Sequence, residues 1–445
     1  MINNQNKFRI KSLYDRLVCL LLIWCVLQDF CLCIILRITG ITVVVKLLFY
    51  SKDIMLLVLF LSSIFSRRIP VKFMACCLFY FTLVGIQTLV GLSTTSLNII
   101  SILSAIRGLI LLPALTLIGY GIHDKKRFCN FIKRYYWFLA IIAFIGIMEF
   151  IADITVGTKR FWMDSLRLDD FYISIKGASA GLEGGTPGNW YTDIGAGYRT
   201  QKRLISIWAA PLTAGFVLLM PCMYYTIAFF KKRIYFGCKT SKSSYKLLWG
   251  FCLTVLGLVL TFTRQTLLLY LLFAFFIFVH YRRKNKKVII LGCFVFAIFM
   301  SIASFDSIIS YLYNGSTMVH ILRLQEAISH MNLLGRGIGS FGTRFAGAIA
   351  TESYYLTMIG QLGIISLIPY LIMLISPIIY CLKKAKKMDE EKKGIVYSIC
   401  FCGLIYAVAG LVSETVSAFT SIAQYYVLIG YIWGFCKENA RCVRK

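Results

Sequence analysis

The sequence predicts an all-α polytopic membrane protein, with about twelve transmembrane helices and two long loops on one side. Three observations carry this. Apolar runs of about 20 residues recur along the 445-residue chain, each able to cross a hydrocarbon core about 30 Å thick. The composition agrees, with 59% hydrophobic residues and a mean hydropathy of +0.75. Basic residues, finally, gather in alternate connections between the runs. The runs are continuous rather than alternating. Lipid offers no partner to a backbone amide, so each run is read as a helix and not as a barrel strand.

Taken in order, helices are expected near 17–36, 42–65, 73–91, 98–120, 135–153, 204–229, 247–263, 265–281, 288–305, 355–381, 395–412 and 418–436. Together they make one integral membrane domain over 1–445. The first run, Leu17–Leu36, is too long for a signal-peptide core, and no small-residue cleavage site follows it, so it is expected to be retained.

The net charge of +29 could suggest nucleic acid, but its distribution argues for topology instead. Most of the 48 Lys and Arg residues fall near 7–16, 67–72, 125–134, 231–246, 282–287, 383–393 and 437–445. The short connections near 92–97 and 413–417 carry none. This asymmetry places both termini in the cytoplasm and reads the excess charge as mostly topology, with a polybasic site for anionic membrane lipid as the lesser alternative and no nucleic-acid partner expected. All sixteen cysteines lie in expected helices or cytoplasmic segments. None is in the two long outer loops, so a disulfide framework is not expected, and no Cys/His spacing suggests zinc.

The outer loops span 154–203 and 306–354. The first carries Gly177, Gly181, Gly184, Gly185, Gly188, Gly195, Gly197 and Pro187, a composition that favours irregular chain over helix. Trp162, Tyr172, Trp190, Tyr191 and Tyr198 punctuate it. They could anchor the loop at the interface or stack on sugar rings. In the second loop, Asn314-Gly315-Ser316-Thr317 reads as a turn with a helix cap, and a helix is expected from Met318 to about Met331. His320, Arg323, Glu326 and His330 would share one arc of roughly 120°, with Ile321, Leu324, Ile328 and Met331 mostly elsewhere. Such a helix could lie on the membrane or turn its polar face into a cavity. The run Gly335-Arg336-Gly337-Ile338-Gly339-Ser340-Phe341-Gly342 lets the backbone turn tightly and approach a ligand.

Arg264 stands out because it falls between two apolar runs at the outer face, where the sorting rule gives no reason for a cation. Arg199, Lys202 and Arg203 cluster where the first loop returns to the membrane, and Arg323, Arg336 and Arg344 lie in the second loop. A planar guanidinium suits bidentate phosphate contacts, so three arginine sources at one membrane face fit a membrane-tethered diphosphate. Glu352, just before Ser353-Tyr354-Tyr355, is one of few acids on that side and could accept or orient the proton of a sugar hydroxyl. It could equally pair with an arginine or sit favourably at a helix N-terminus. Arg107, Lys46 and Lys52-Asp53 are intramembrane charges and therefore candidates for a functional site.

In these residues the sequence resembles the O-antigen polymerase and ligase family of bacterial envelope-polysaccharide assembly. Arg203-Leu204-Ile205-Ser206 through Pro211-Leu212-Thr213-Ala214-Gly215 is similar to the family's arginine and proline-glycine pattern after the first large loop. Thr263-Arg264 resembles its Ser-Arg pair. Arg323 through Gly335–Phe341 resembles the segment leading to its glycine motif, and Glu352–Leu356 through Gly363-Ile364-Ile365 the helix that follows. The resemblance covers roughly 195–380, and it departs from the ligase pattern where Glu352 stands in place of histidine.

The resemblance implies an inner-membrane transferase similar to the lipid-linked (GT-C-like) glycosyltransferases, with an extracytoplasmic site. It would be a polymerase joining undecaprenyl-diphosphate-linked oligosaccharide repeats of capsule, exopolysaccharide or O-antigen by inverting displacement. Arg203, Arg264 and Arg323, with Arg199 and Arg336, would hold the diphosphate. Glu352 and Arg264 would be catalytic, and Gly335, Gly337 and Gly339 would supply loop backbone. The resemblance implies no metal and no cofactor, and a chain-length regulator and flippase of the same pathway as partners. A ligase moving finished polysaccharide is the alternative, and a polysaccharide flippase or transporter is the alternative from another class.

Overall fold

The computed structural model describes residues 2–66, 69–94, 99–156, 162, 165–176, 190–193, 200–208, 210–235, 242–282, 315–342, 347–351, 353–411 and 419–442. Helices dominate. The first five are α1 (Ile2–Thr39), α2 (Thr42–Ser66), α3 (Val71–Thr94), α4 (Ile99–Gly121) and α5 (Lys125–Val156). A one-turn helix, α6 (Leu168–Phe171), and a two-stranded antiparallel ribbon of β1 (Tyr191–Asp193) and β2 (Thr200–Lys202) follow. Then come α7 (Pro211–Tyr235), α8 (Lys242–Leu260), α9 (Arg264–Arg282), α10 (Gly315–Ser329), α11 (Tyr354–Leu362), α12 (Leu367–Ala385), α13 (Glu390–Ala409) and α14 (Phe419–Cys442).

Among the described residues, seven segments are long and apolar enough to cross a membrane: Ser12–Thr39, Val71–Thr94, Ser101–Gly121, Lys125–Asp153, Pro211–Phe230, Ile364–Ala385 and Lys392–Ala409. The fold is thus that of a polytopic membrane protein. α2 is as long, but Lys46, Lys52 and Asp53 interrupt its apolar run. The helix expected near 288–305 lies outside the described residues.

Two expected helices take a different form. The one near 204–229 starts only at Pro211, where a proline's missing N–H is harmless. Ahead of it, Ser206 has φ 50° and residues Ser206–Trp208 form a 3₁₀ turn, so apolar composition hides a non-helical approach. The helix near 355–381 is broken at Gly363, whose φ of 89° ends α11. Apolar residues continue through the break, and hydropathy alone does not register it.

The described chain forms two compact units, Met1–Leu59 with His123–Ala303, and Phe60–Ile122 with Ser304–Lys445. In the first, α7 packs against α8, α9 and α5, and α8 against α5. The C-terminal end of α1 joins Trp162, Leu166, Leu168, Phe171, Ile175, Trp190 and Ile205 in a buried apolar cluster. On the opposite end, Asp15 accepts from the backbone N–H groups of His123 (2.9 Å) and Asp124 (2.8 Å), tying α1 to the start of α5.

In the second unit α4 and α14 form the closest helix pair. A Cβ at Gly119 would fall on the Val427 carbonyl, and one at Gly430 on the Thr116 carbonyl. Small residues here let two backbones touch, which supplies dispersion contact where lipid removes the usual hydrophobic drive. Around them Tyr80, Tyr354, Tyr355, Tyr370, Tyr406, Tyr425 and Tyr426 are buried together. Hydroxyls in this group are satisfied locally, as in Tyr355 to the Ala407 carbonyl (2.9 Å) and Tyr406 to Ser421 Oγ (3.1 Å).

Candidate functional site

The site in the first unit is built around the short chain between β2 and α7. The ribbon pairs Tyr191 with Lys202, and the Arg203 N–H continues the ladder to the Trp190 carbonyl at 2.8 Å. The Leu204 N–H then donates to the Leu260 carbonyl at 2.8 Å, so the extended chain is held to the end of α8. Successive residues of extended chain face opposite sides. Lys202 reaches α5, where its ammonium meets Glu149 at 3.1 Å and makes an ion pair with Asp153. Arg203 points the other way. Its Nε donates to the Thr261 carbonyl at 2.9 Å and its Nη2 to Thr263 Oγ1 at 3.1 Å.

Thr261–Thr263 is the turn between α8 and α9, with Phe262 at φ 45°. Arg264 is the first residue of α9. Thr263 Oγ1 also lies 3.3 Å from the Pro211 carbonyl at the start of α7. One turn on, Gly215 leaves room for this turn, since a Cβ there would meet Thr266 Oγ1 at 2.9 Å and Thr263 Oγ1 at 3.1 Å. The Arg203…Pro211…Gly215 and Thr263-Arg264 segments are therefore adjacent in space.

The first amides of α9 lack intrahelical acceptors and carry the positive end of its dipole. Arg203 donates to the Thr261 carbonyl at the C-terminal end of α8, where a cation is favourable. Lys202 is already balanced by Glu149 and Asp153, with side chains only 8%, 11% and 9% exposed. On the partner strand, burial and then the charge of Asp153 push the Tyr191 phenol above its ordinary range.

The second unit holds the other candidates. Arg323 is half-buried on α10, on the same side as buried Ala327 and half-buried His330. Leu322, Leu324 and Ile328 are exposed, so this helix turns its apolar side outward among the described residues. The helix begins at Gly315, three residues before its expected start.

The glycine run turns tightly as expected, with φ of 82°, 95°, 90° and 120° at Gly335, Gly337, Gly339 and Gly342. Its donors, however, mostly serve the protein. Gly335 N–H donates to Asn332 Oδ1 (2.5 Å), Arg336 N–H to the Gly360 carbonyl (2.9 Å), Gly337 N–H to the Gln361 carbonyl (3.2 Å) and Ile338 N–H to the Gln87 carbonyl (2.9 Å). Gln87 Nε2 and Gln361 Nε2 clamp the same segment at the Leu334 and Phe341 carbonyls. Instead of an open anion cradle, the backbone of Gly335 and Gly337 is a packing joint between α3 and α11. The Arg336 side chain projects from it, exposed.

Arg199, Arg344 and Glu352 lie outside the described residues. So do all of the first loop's glycines, Pro187 and Tyr198. Trp162 and Trp190 are each only 1% exposed, which makes them core of the loop rather than interfacial anchors or sugar platforms. Of the intramembrane charges, Lys52 is buried, donates to Gln28 Oε1 at 2.7 Å and lies 3.9 Å from the Phe49 ring centre.

Sequence reasoning passed over Glu149 and Asp153. The signal was present: two acids four residues apart inside an apolar run require a cation. Among the described residues no group of three or more His, Cys, Asp or Glu is placed to hold a metal ion. No model of a known protein family and no curated protein matches the chain.

Proposed function

We propose that the chain is a glycosyltransferase of the bacterial inner membrane, a polymerase of polysaccharide repeats carried on undecaprenyl diphosphate. Its architecture in this reading is the GT-C-like one, with about twelve transmembrane helices, both termini in the cytoplasm and the site on the outer face. The single observation that supports it most is the joining of Arg203 to the turn that opens α9 at Arg264. Two cations and a helix N-terminus at one turn suit a diphosphate, and the same segments carry the family resemblance.

In the reaction, a hydroxyl of the acceptor repeat attacks the anomeric carbon of the lipid-linked donor. The bond from that carbon to the diphosphate oxygen breaks, and the carrier diphosphate leaves with the electron pair. Arg203 and Arg264 stabilise the charge that grows on the leaving group, with Arg323 as a further cation and Glu352 as acceptor of the hydroxyl proton. Losing one such donor should raise the barrier by about 2.7–4 kcal/mol, a rate loss on the order of 100- to 1000-fold.

The test is the polysaccharide profile of a deletion strain complemented with wild type or Arg264→Ala at matched membrane levels. Single repeats in the deletion and the variant, with long chains restored by wild type, support the polymerase. Long chains that stay on the carrier lipid and never reach a final acceptor favour the ligase. Full restoration by Arg264→Ala removes Arg264 from the site, and unaltered chains in the deletion remove the function.

A further inference from the structure

We propose that Glu149, Asp153 and Lys202 are positioning residues that aim Arg203 at the α8–α9 turn. The proposal rests on reading that turn as the diphosphate site.

The argument starts from the extended chain at residues 202 and 203. Neighbours in such a chain cannot face the same side. Whatever fixes the side chain of Lys202 therefore fixes the side from which Arg203 projects. Lys202 is held by two carboxylates one helical turn apart on α5, and all three groups are largely withdrawn from solvent. A lysine with four rotatable bonds is otherwise free to swing. The paired acids remove that freedom. They also neutralise the cation of this cluster that faces α5.

The ribbon adds register. Arg203 N–H to Trp190 and Leu204 N–H to Leu260 set the strand's height and the face that Arg203 takes. The acid pair on α5 holds that face from the other side by anchoring Lys202. Nothing in this scheme needs the carboxylates to touch substrate, so they are not assigned a chemical step.

The experiment uses full-length protein in lipid nanodiscs and a fluorescent polyprenyl diphosphate as probe. Lys202→Met alone strands two buried carboxylates and can unfold the protein. The informative variant is therefore the neutral triple, Glu149→Gln, Asp153→Asn and Lys202→Met, which keeps volume and removes the charges together. Arg203→Ala should weaken probe binding about ten-fold or more. The triple should weaken it to a similar degree while its unfolding midpoint stays within a few degrees of wild type. Combining the triple with Arg203→Ala should give no further loss, because both act through one guanidinium. Wild-type affinity in the triple, or losses that multiply in the combination, would overturn the positioning role while leaving the diphosphate site standing. Unchanged affinity in Arg203→Ala itself would remove that site, and the positioning role with it.

Discussion

Consider Lys202→Met in the purified protein. The substitution keeps most of the side chain's volume and deletes the cation that β2 sets against Glu149 and Asp153. Those carboxylates are 11% and 9% exposed, so water screens them little. Removing one partner of a buried ion pair typically destabilises by about 3–5 kcal/mol, because an uncompensated charge is left behind. For a unit of this size each kcal/mol moves the midpoint by about 2–4 °C, so a fall of roughly 6–20 °C is expected. The first unit supplies its own reporters: Cys25 and Cys222 are buried thiols outside any disulfide. A thiol-reactive fluorogenic dye therefore follows unfolding directly as the temperature rises. The neutral triple at Glu149, Asp153 and Lys202 should recover most of the loss, since it leaves no charge behind. A Lys202→Met midpoint within about 2 °C of wild type would mean that the carboxylates are solvated or protonated at no expense. A triple variant as unstable as the single one would show that packing, not charge, holds this contact.

Three other outcomes follow from the same geometry. Arg203→Lys keeps the charge but not the fork that serves both Thr261 and Thr263, and losing one charge-assisted bond should weaken carrier binding by about 1.5–3 kcal/mol, measured as probe affinity in nanodiscs. Gly337→Ala forces a side chain into φ 95° and against the backbone of Gly91, so the unfolding midpoint should fall by the equivalent of about 1–3 kcal/mol or more, whereas Ser340→Ala leaves the backbone joint intact and should do less. Asp389 is hydrogen-bonded to Lys392 at 2.7 Å, and that bond and charge hold its carboxyl below the usual range. The depressed value means its contribution is present above the ordinary carboxylate pKa and disappears as pH falls through the lowered one; Asp389→Asn should flatten the acid limb of a stability profile below about pH 4 and leave the neutral region nearly unchanged.

Much of the architecture is legible in the order of residues alone. Hydropathy locates the helices because lipid demands long apolar segments, and that demand is local in sequence. It fails at Gly363 and at 204–210, where apolar residues line a broken or extended chain as readily as a helix. The candidate site is legible only as residue types. Arg203 and Arg264 can be suspected from their position at membrane edges, but not that a threonine turn joins them. The glycine run announces tight turning, while its hydrogen bonding to Gln87, Gly360 and Gln361 depends on residues about 20 to 250 positions away.

By itself, then, the sequence determined the environment of each segment, since burial in lipid is read residue by residue from polarity and charge. Which charges compensate one another was decided only by tertiary structure. Lys202 and Arg203 are adjacent cations that look equivalent in the sequence. The pleat of an extended chain sends one to the acids of α5 and the other to the threonine turn between α8 and α9.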